Sequence, residues 1–278
     1  MLAAECRLLG QNHVFAQRSR SAVCLIRDPY LAIIMYERLK FFAKRTIPNR
    51  LLERYDDEFR RLNAVWYSGD KVNCNCCGGC FSKWISLNNG ELLCPRCGSL
   101  PRTRRLSQLL TDNYLREGLR MLHFSPSKTL HHQLSQKAGL IYDSTDFVGE
   151  FRAKYQFNIL DIAAPDMTYD LVVCYHVLEH VEDDRRAMSE LFRVLKPGGT
   201  LLVQTPFREG AIYEDRAIRT EAGRLTAFGQ GDHVRVYSVA GLAERLERAG
   251  FATKPVTYAG DDEQGFRAKE TVLHCTKS

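Results

Sequence analysis

The spacing of apolar residues predicts helices in the first quarter of the chain. Residues 1–70 show helical spacing without strand-like alternation. One run begins at Asp28 and Pro29, which suit an N-cap and a first helical position, and Pro48 interrupts it. The apolar face of a second run comprises Leu51, Leu52, Tyr55, Phe59, Leu62, Val65 and Trp66. We expect two amphipathic helices that cover the next domain or pair two copies of the chain in a homodimer.

Strand-like and helix-like runs alternate from Arg120 onward, which is typical of an α/β fold with helices on both faces of a parallel sheet. One helix is predicted before the sheet and three within it, at residues 103–118, 127–138, 183–195 and 239–249. The apolar run from residue 169 is continuous, as expected of a buried central strand. The seven predicted strands cover residues 121–124, 140–142, 155–160, 169–177, 200–206, 251–257 and 270–276.

Cysteines add a small module between these two parts. Six of the ten cysteines lie between residues 74 and 97, and in a reducing compartment such a cluster favours metal binding over disulfides. Two pairs have the two-residue gap that lets a tight turn place both sulfurs on one ion, and a glycine follows each pair. Four thiolates leave no position open for water. We therefore predict a structural Zn²⁺ ion with the ligands Cys74, Cys77, Cys94 and Cys97.

One ligand has alternatives, because Cys80 also follows Cys77 by the same gap and Cys76 is adjacent. Between the two pairs, residues 88–90 (Asn-Asn-Gly) predict the turn of a hairpin. The predicted domains are a helical segment at 1–70, a zinc-ribbon-like module at 71–100 and an α/β domain at 101–278.

The composition limits which partners and which cellular location can be expected. The chain is 45% hydrophobic and 26% charged, as expected of a globular protein, and its net charge of +6 permits an anionic partner without requiring one. No apolar run reaches the roughly 18 residues that span a bilayer, and no signal-peptide pattern begins the chain. We expect a cytoplasmic protein without a membrane span.

A resemblance to a known family is carried by residues 169–206, which read YDLVVCYHVLEHVEDDRRAMSELFRVLKPGGTLLVQTP. This stretch resembles the fourth strand, the following helix and the Pro-Gly-Gly turn of class I S-adenosylmethionine-dependent methyltransferases. The segments CPRCGS, LHFSPS, YEDRAI and FGQGDHVRVYS are similar to a bacterial subgroup with a cysteine zinc knuckle ahead of that domain, whose members occur beside glycan synthesis. The resemblance implies a Rossmann-like sheet of seven strands and S-adenosylmethionine as cofactor.

In this family, the loop after the first strand carries Gly-x-Gly and contacts the methionine part of the cofactor. In dinucleotide-binding folds, glycines at this loop let the backbone approach the pyrophosphate of the ligand closely. S-adenosylmethionine has no pyrophosphate, so it does not need this close approach. Serine hydroxyls can instead bond its carboxylate or ammonium group, and the helix start favours a carboxylate. The resemblance therefore assigns this contact to His123, Phe124, Ser125, Pro126 and Ser127.

Later strand ends supply the rest of the implied cofactor site. The ribose hydroxyls should meet the acidic residue after the second strand, which is Asp146 or, as an alternative, Asp143. After the third strand, Asp161 and Ile162 resemble the position that reads adenine.

The end of the fourth strand indicates the acceptor. Tyr175 and His176 should face the transferred methyl group, and His176 is a catalytic candidate. The amine-methylating branches of the family often carry an Asn/Asp-Pro-Pro-Tyr stretch where this chain has YHVL, so a hydroxyl of a small molecule or glycan is favoured. Glu179 and His180 are interpreted as structural.

A hydroxyl acceptor must lose its proton, so a general base is expected. We predict His233 as that base, because the ordinary pKa of histidine is about 6.5, with Asp232 orienting it. Arg235 could hold an anionic substrate group, while Tyr213 and Glu214 lie in the insert where the family builds its acceptor pocket.

Two alternatives remain open at this stage. The first is an RNA methyltransferase whose zinc module and Arg-rich helix grip phosphates, through Arg102, Arg104, Arg105, Arg116 and Arg120. The second is a protein that kept the fold without the activity.

Overall fold

The computed structural model describes residues 58–278. The first predicted amphipathic helix, residues 49–57 of the second and the homodimer contact assigned to them lie outside this range. The described residues form two compact units: one contains residues 58–104 together with Asp261–Phe266, and the other contains Arg105–Gly260 and Arg267–Ser278. Among the described residues, no helix has the length and hydropathy that a membrane crossing requires.

The first unit is built from short strands around the cysteines. Residues 58–64 are helical and a 3₁₀ turn follows at Val65–Tyr67, but residues 68–70 begin a strand, so the helical prediction for 1–70 is wrong there. The first four strands are β1 (Ser68–Asn73), β2 (Cys80–Phe81), β3 (Ile85–Ser86) and β4 (Leu92–Leu93). Strand β1 pairs with β2 and β3 with β4, both antiparallel.

The predicted hairpin turn is confirmed. Gly90 has φ +79°, a conformation that glycine adopts without strain, and its N–H donates to the Leu87 carbonyl at 2.9 Å. The turn brings Ile85 onto a small apolar core with Tyr67, Phe81 and Trp84.

The second unit carries the main sheet. Its helices are α1 (Pro101–Asn113), within which the boundary between the units falls, α2 (Lys128–Ser135), α3 (Asp184–Val194), α4 (Glu221–Phe228) and α5 (Val239–Arg248). Its strands are β5 (Arg120–Phe124), β6 (Ile141–Thr145), β7 (Tyr169–Tyr175), β8 (Leu195–Gln204), the short β9 (Tyr213–Glu214) and β10 (Arg235–Val236), and the long β11 (Phe251–Asp261) and β12 (Phe266–Lys277).

Within residues 58–278 the main sheet has six strands in the order β11-β12-β8-β7-β5-β6. Strands β6, β5, β7 and β8 run parallel, and β12 is antiparallel to β8. This is the α/β arrangement that the alternation of elements predicted and the Rossmann-like sheet that the resemblance implied, with six strands in place of seven. Because the parallel strands end at one edge, the residues after β5, β6, β7 and β8 share that edge, which we call the carboxyl edge.

Both faces of the sheet are buried. Along β7, Val172 and Cys174 contribute to one core cluster with helices α3 and α5, while Leu171 and Val173 contribute to the other with α1 and α2. Alternate side chains of a strand point to opposite faces, so a strand covered on both sides reads as the continuous apolar run seen in the sequence.

Of the seven predicted strands, the third, at residues 155–160, does not form. Tyr155 makes a single parallel bridge to Thr145, after which the N–H of Phe157 donates to the Thr145 hydroxyl at 2.7 Å. The Asn158 side chain accepts from the N–H of Leu160 at 3.0 Å and turns the chain away. Asparagine competes with a strand for backbone hydrogen bonds in this way, so the apolar residues of the segment pack without forming a ladder.

Candidate functional site

Four cysteine sulfurs meet in the first unit. The Sγ atoms of Cys74, Cys77, Cys94 and Cys97 lie within 4.8 Å of one another. The Sγ atoms of Cys74 and Cys97 are 3.7 Å apart, and those of Cys77 and Cys94 are 3.8 Å apart. Corners of a tetrahedron around a zinc ion, with Zn–S bonds of about 2.3 Å, are separated by about 3.8 Å. The arrangement could therefore hold one tetrahedral metal ion.

The two cysteine turns repeat one backbone pattern. Gly78 and Gly98 have φ +66° and +69°, and their N–H groups donate to the carbonyls of Cys74 and Cys94 at 2.7 and 3.1 Å. Both alternative ligands lie outside the group of four. The Cys76 sulfur faces the Thr103 carbonyl at 3.9 Å, and Cys80 belongs to β2.

Several arginines of the Arg-rich stretch make contacts within the protein. Arg104 has no exposed surface and Arg105 is 7% exposed, and both donate to backbone carbonyl groups. Arg120 pairs with Asp143 at 3.5 Å. Arg102 also pairs with Glu91 at 3.6 Å, so four of the five arginines on which the RNA alternative depends have partners within the protein.

Ser125 occupies the turn where the family has glycine. Its φ of +45° lies in the left-handed region, which glycine favours and few other residues adopt. Its N–H donates to the Thr145 carbonyl at 2.8 Å, and its hydroxyl donates to Asp146 Oδ1 at 2.8 Å. The other carboxylate oxygen of Asp146 accepts from the N–H of Phe151 at 3.0 Å. These bonds hold the ends of β5 and β6 together at the carboxyl edge.

The other predicted loop residues have different positions. His123 is 2% exposed beside Tyr142, whose hydroxyl lies 3.2 Å from its Nδ1, and burial followed by the charge of His131 lowers its pKa to about 3. Phe124 and Pro126 are buried, and Ser127 is the N-cap of α2. His123 and Phe124 therefore belong to the core of the sheet and not to its rim.

The two candidates for the ribose carboxylate are clearly different. Asp143 is buried within β6 and accepts from Lys154 Nζ at 2.8 Å. Asp146 lies after the strand, at the carboxyl edge beside Ser125. Only Asp146 has the position that the predicted ribose contact requires.

The backbone groups of Ile162, the predicted adenine contact, are already hydrogen-bonded within the protein. Ile162 is 2% exposed and its N–H donates to Glu190 Oε2 at 2.8 Å, while its carbonyl accepts from Arg193 at 2.8 Å. A ligand could use this amide only by displacing Glu190. Asp161 is exposed and has no such restriction.

His176 is the first residue after β7 and has a positive φ angle. Its φ is +54°, and its Nδ1 lies 3.3 Å from Glu179 Oε1. Glu179 is 1% exposed. Burial works against its ionisation, but the neighbouring His176 and His180 outweigh that effect and hold the pKa of the carboxyl below its ordinary value. The pair thus joins an imidazole to a buried carboxylate.

Polar atoms without partners gather at this edge. Among residues 58–278, several buried side-chain atoms at or just after the ends of β7 and β8 make no hydrogen bond: His176 Nε2, both oxygens of Glu179, Gln204 Oε1, Thr205 Oγ1 and, on the face packed against α1 and α2, Tyr175 Oη. Buried polar groups are normally satisfied, so a group of orphans indicates a missing polar ligand. The residues present fit a cofactor that offers both hydrogen-bond donors and acceptors, as S-adenosylmethionine does.

His233 has a different partner from the one predicted. Asp232 Oδ2 lies 3.1 Å from Nδ1 of His180, so Asp232 orients His180 and not His233. His233 is 4% exposed, and its ring meets that of His180 edge-on with centroids 4.7 Å apart. Burial, followed by the charge of His180, lowers the pKa of His233, although a hydrogen bond with the Phe228 backbone acts in the opposite direction.

Charge pairs fix the insert between β8 and β10. Arg235 donates to Glu214 at 2.9 Å and to the carbonyls of Leu178, Val181 and Glu182. These contacts do not fit the prediction that Arg235 holds an anionic substrate group. Tyr213 packs against Phe228, with ring centroids 5.4 Å apart.

A cleft of about 770 Å³ lies beside this insert. Its lining mixes acidic and basic side chains, among them Glu214, Asp215, Arg216 and Arg235. Ser125, Asp146 and His176 do not line it, so this cleft is separate from the predicted cofactor position.

The sequence model of a family described as a methyltransferase domain matches residues 101–255, more than half of the chain. The chain belongs to this family. As the resemblance predicted, residues 101–255 are a methyltransferase domain of the class I, S-adenosylmethionine-dependent type.

Curated relatives agree with this assignment. A probable S-adenosylmethionine-dependent methyltransferase of Mycolicibacterium smegmatis is 39% identical over 119 residues, which cover 41% of this chain and 42% of the relative. One from Mycobacterium tuberculosis is 38% identical over 116 residues, or 40% and 38% of the two chains. The methyltransferase thus spans less than half the length of these relatives. The solved YcgJ protein of Bacillus subtilis aligns with 62% of this chain and 98% of its own, at 16% identity and a TM-score of 0.44.

Two residues outside the predicted site lie beside one of its members. Glu179 and His180 were interpreted as structural, yet the structure places both beside His233. The available signal was their position directly after a predicted buried strand, at the edge where the cofactor residues also end.

Proposed function

We propose that the protein transfers a methyl group to a hydroxyl oxygen of a small molecule or glycan, with a histidine as the proton acceptor. The observation that carries this proposal is the pair His176–Glu179. The imidazole Nδ1 lies 3.3 Å from the carboxylate, and Nε2 is buried without a hydrogen-bond partner among the described residues. A carboxylate next to Nδ1 favours the ring tautomer that carries its proton on Nδ1, which leaves Nε2 as the proton acceptor that general-base catalysis requires.

The geometry favours His176 over His233 as this base. His233 is buried edge-on against His180, and its predicted orienting residue Asp232 pairs with His180 instead. His176 directly follows β7, at the carboxyl edge that Ser125 also occupies after β5.

When bound, S-adenosylmethionine supplies an electrophilic methyl group on a sulfonium. Ser125 and Asp146 have the positions suited to its amino acid and ribose parts, and Gln204 and Thr205 offer unpaired oxygen atoms nearby along the same edge. Methyl transfer is an in-line displacement, so the main tasks of the protein are alignment of the two reactants and removal of the acceptor proton.

The relatives include both an O-methyltransferase and a C-methyltransferase, so they do not identify the acceptor atom. The choice of oxygen therefore rests on the residues of the site. A ubiquinone biosynthesis O-methyltransferase of Thiobacillus denitrificans is 30% identical over 96 residues, which are 34% of this chain and 41% of that protein. A ubiquinone/menaquinone biosynthesis C-methyltransferase of Pasteurella multocida is 46% identical over 48 residues. An imidazole–carboxylate pair at the end of β7, where the proposal puts the transferred methyl group, suits an acceptor that must lose a proton, which favours oxygen.

We also propose that the four cysteines of the first unit hold a structural Zn²⁺ ion. Their sulfur separations of 3.7 and 3.8 Å support this, as do the two matching glycine turns. With four protein ligands, such an ion has no position for a substrate and serves the fold.

The test of methyl transfer uses labelled S-adenosylmethionine and fractionated cell extract, followed by identification of the methylated atom. His176→Asn is the informative variant, because asparagine tolerates the positive φ of this position. We expect the turnover number to fall by about 10² to 10⁴ while cofactor affinity changes little, as for the loss of a general base. His132→Gln, an exposed histidine on α2, is the matched control. Label on nitrogen or carbon, or unchanged turnover in His176→Asn, would contradict the proposal.

A further inference from the structure

We infer that Glu179, His180 and His233 form a binding site for a divalent transition-metal ion, separate from the four cysteines. One ligand atom from each residue lies within 4.8 Å of the others. Two imidazoles and one carboxylate are a common ligand set for catalytic metal ions. The three residues follow β7 or precede β10, so the fold fixes their separation.

Each histidine has one ring nitrogen held by the protein. Nδ1 of His180 lies 3.1 Å from Asp232 Oδ2, and the ring of His233 bonds the backbone of Phe228. This leaves the second nitrogen of each ring for an ion. Metal-bound histidines usually show this pattern, in which an outer carboxylate or carbonyl fixes the ring and its tautomer.

The Glu179 carboxylate gives independent evidence for a bound cation. Glu179 is 1% exposed, and neither of its oxygens accepts a hydrogen bond from any residue in the described part of the chain. A buried carboxylate is strongly destabilised without a cation or several donors. One oxygen faces His176, so the other is available to an ion between the two imidazoles.

Protonated histidines are a poorer explanation of this cluster. The ring centroids of His180 and His233 are 4.7 Å apart, so two imidazolium ions would repel each other in a largely buried position. A metal ion supplies the positive charge while both rings stay neutral.

The ligand set also selects the ion. Two imidazole nitrogens suit manganese, iron, cobalt or zinc, whereas magnesium and calcium prefer oxygen ligands. Three protein ligands leave positions open for substrate. If the proposed function holds, the acceptor hydroxyl binds at an open position, where its pKa falls, and passes its proton to His176.

The test is a titration of the full chain with Mn²⁺ after dialysis against a mild chelator. Mn²⁺ prefers oxygen and nitrogen ligands, so the cysteine cluster does not compete for it. Electron paramagnetic resonance of the free ion gives the stoichiometry and the affinity. We expect one Mn²⁺ per chain, and a loss of affinity of more than about 30-fold in His180→Gln or Glu179→Gln.

Two further variants separate a metal site from a structural cluster. Asp232 is 70% exposed, so Asp232→Asn should leave the fold intact while it weakens Mn²⁺ binding by about 10-fold through His180. His132→Gln removes an exposed histidine and should bind Mn²⁺ like the wild type. Equal affinity in folded wild type, His180→Gln and Asp232→Asn would overturn the inference.

Methyl-transfer assays on the same samples keep the two proposals apart. Full O-methylation by metal-free protein would overturn the catalytic role of the ion and leave the proposed function standing. Mn²⁺ binding that depends on His180, together with methylation of a nitrogen acceptor, would support the metal site and reject the proposed function.

Discussion

Arg104 shows how a single buried residue can mislead sequence analysis. Its guanidinium donates to the carbonyls of Ser99 at 2.6 Å, Leu92 at 3.0 Å, Gln264 at 2.9 Å and Gly265 at 2.6 Å. The group also stacks on the Trp84 ring at 4.1 Å. In the sequence this arginine belongs to a basic run that favours phosphate binding. Two of its acceptors lie about 160 positions away, so no local pattern could reveal its structural role.

Replacing this side chain should destabilise the first unit. Arg104→Ala removes the guanidinium donor from four carbonyl groups, of which that of Ser99 keeps the N–H of Cys94 at 3.0 Å, and each buried carbonyl left unpaired costs about 1–3 kcal/mol. We expect the free energy of unfolding to fall by at least about 3 kcal/mol, measured by urea titration of tryptophan fluorescence. Arg96→Ala, an exposed arginine in the same unit, is the control and should change it by less than about 0.5 kcal/mol. Equal effects of the two variants would contradict the structural role.

Local chemistry made some single residues predictable. The four cysteines selected among six lie together in the structure, because a two-residue gap followed by glycine fits the turn that the structure shows. The partner of Asp232 was not predictable, because His180 and His233 are both within reach and only the fold decides between them.

At the scale of elements, β9, β10 and α5 are joined by one carboxylate. Glu214 on β9 accepts from Arg245 on α5 at 2.6 Å and from Arg235 on β10 at 2.9 Å. Hydrogen bonding from Arg245 is the largest influence, and with Arg235 it outweighs burial and lowers the pKa of Glu214 to about 2. This contact fixes the insert beside the cleft.

The charge pair gives a pH-dependent contribution to stability. An unfolded glutamate has a pKa of about 4.3, so the contribution is fully present above that pH and is lost as the pH falls toward about 2. Because the carboxyl side chain is 40% exposed, we expect less than about 1 kcal/mol. The difference in Tm between wild type and Glu214→Gln should shrink over this range. Glu244→Gln, which removes a surface pair with Arg248, is the control. A difference that grows on acidification would contradict this account.

Elements with a strong periodic pattern were predictable, and one without it was not. The buried run at β7 and the amphipathic helix α3 were found because their burial follows from their own spacing. The segment after Tyr155 is apolar enough for a strand, but the Asn158 turn and the Thr145 hydroxyl take its backbone hydrogen bonds. Such competition by side chains depends on neighbours in space.

At the scale of the whole molecule, the tryptophans report on one unit alone. The chain has two, Trp66 at 71% exposure and Trp84 at 8%, and both lie in the first unit. Their emission therefore follows the surroundings of the four cysteines.

Removal of the proposed zinc ion should be visible in that emission. We expect about one zinc per chain by metal analysis, and a red shift of fluorescence on chelation as Trp84 becomes exposed. Cys94→Ser should lose the metal, whereas Cys76→Ser, outside the group of four, should keep it. Retention of metal by Cys94→Ser, or metal-free protein with unchanged emission, would contradict a structural zinc site.

The split course of the chain limits how the protein can be dissected. Residues 261–266 belong to the first unit although they lie near the far end of the sequence, so the polypeptide passes between the units three times. A recombinant fragment that starts at Arg105 would carry that hairpin tip without the guanidinium to which Gln264 and Gly265 bond. Any exchange of the cysteine module between homologous proteins would have to graft two separated stretches of the gene together.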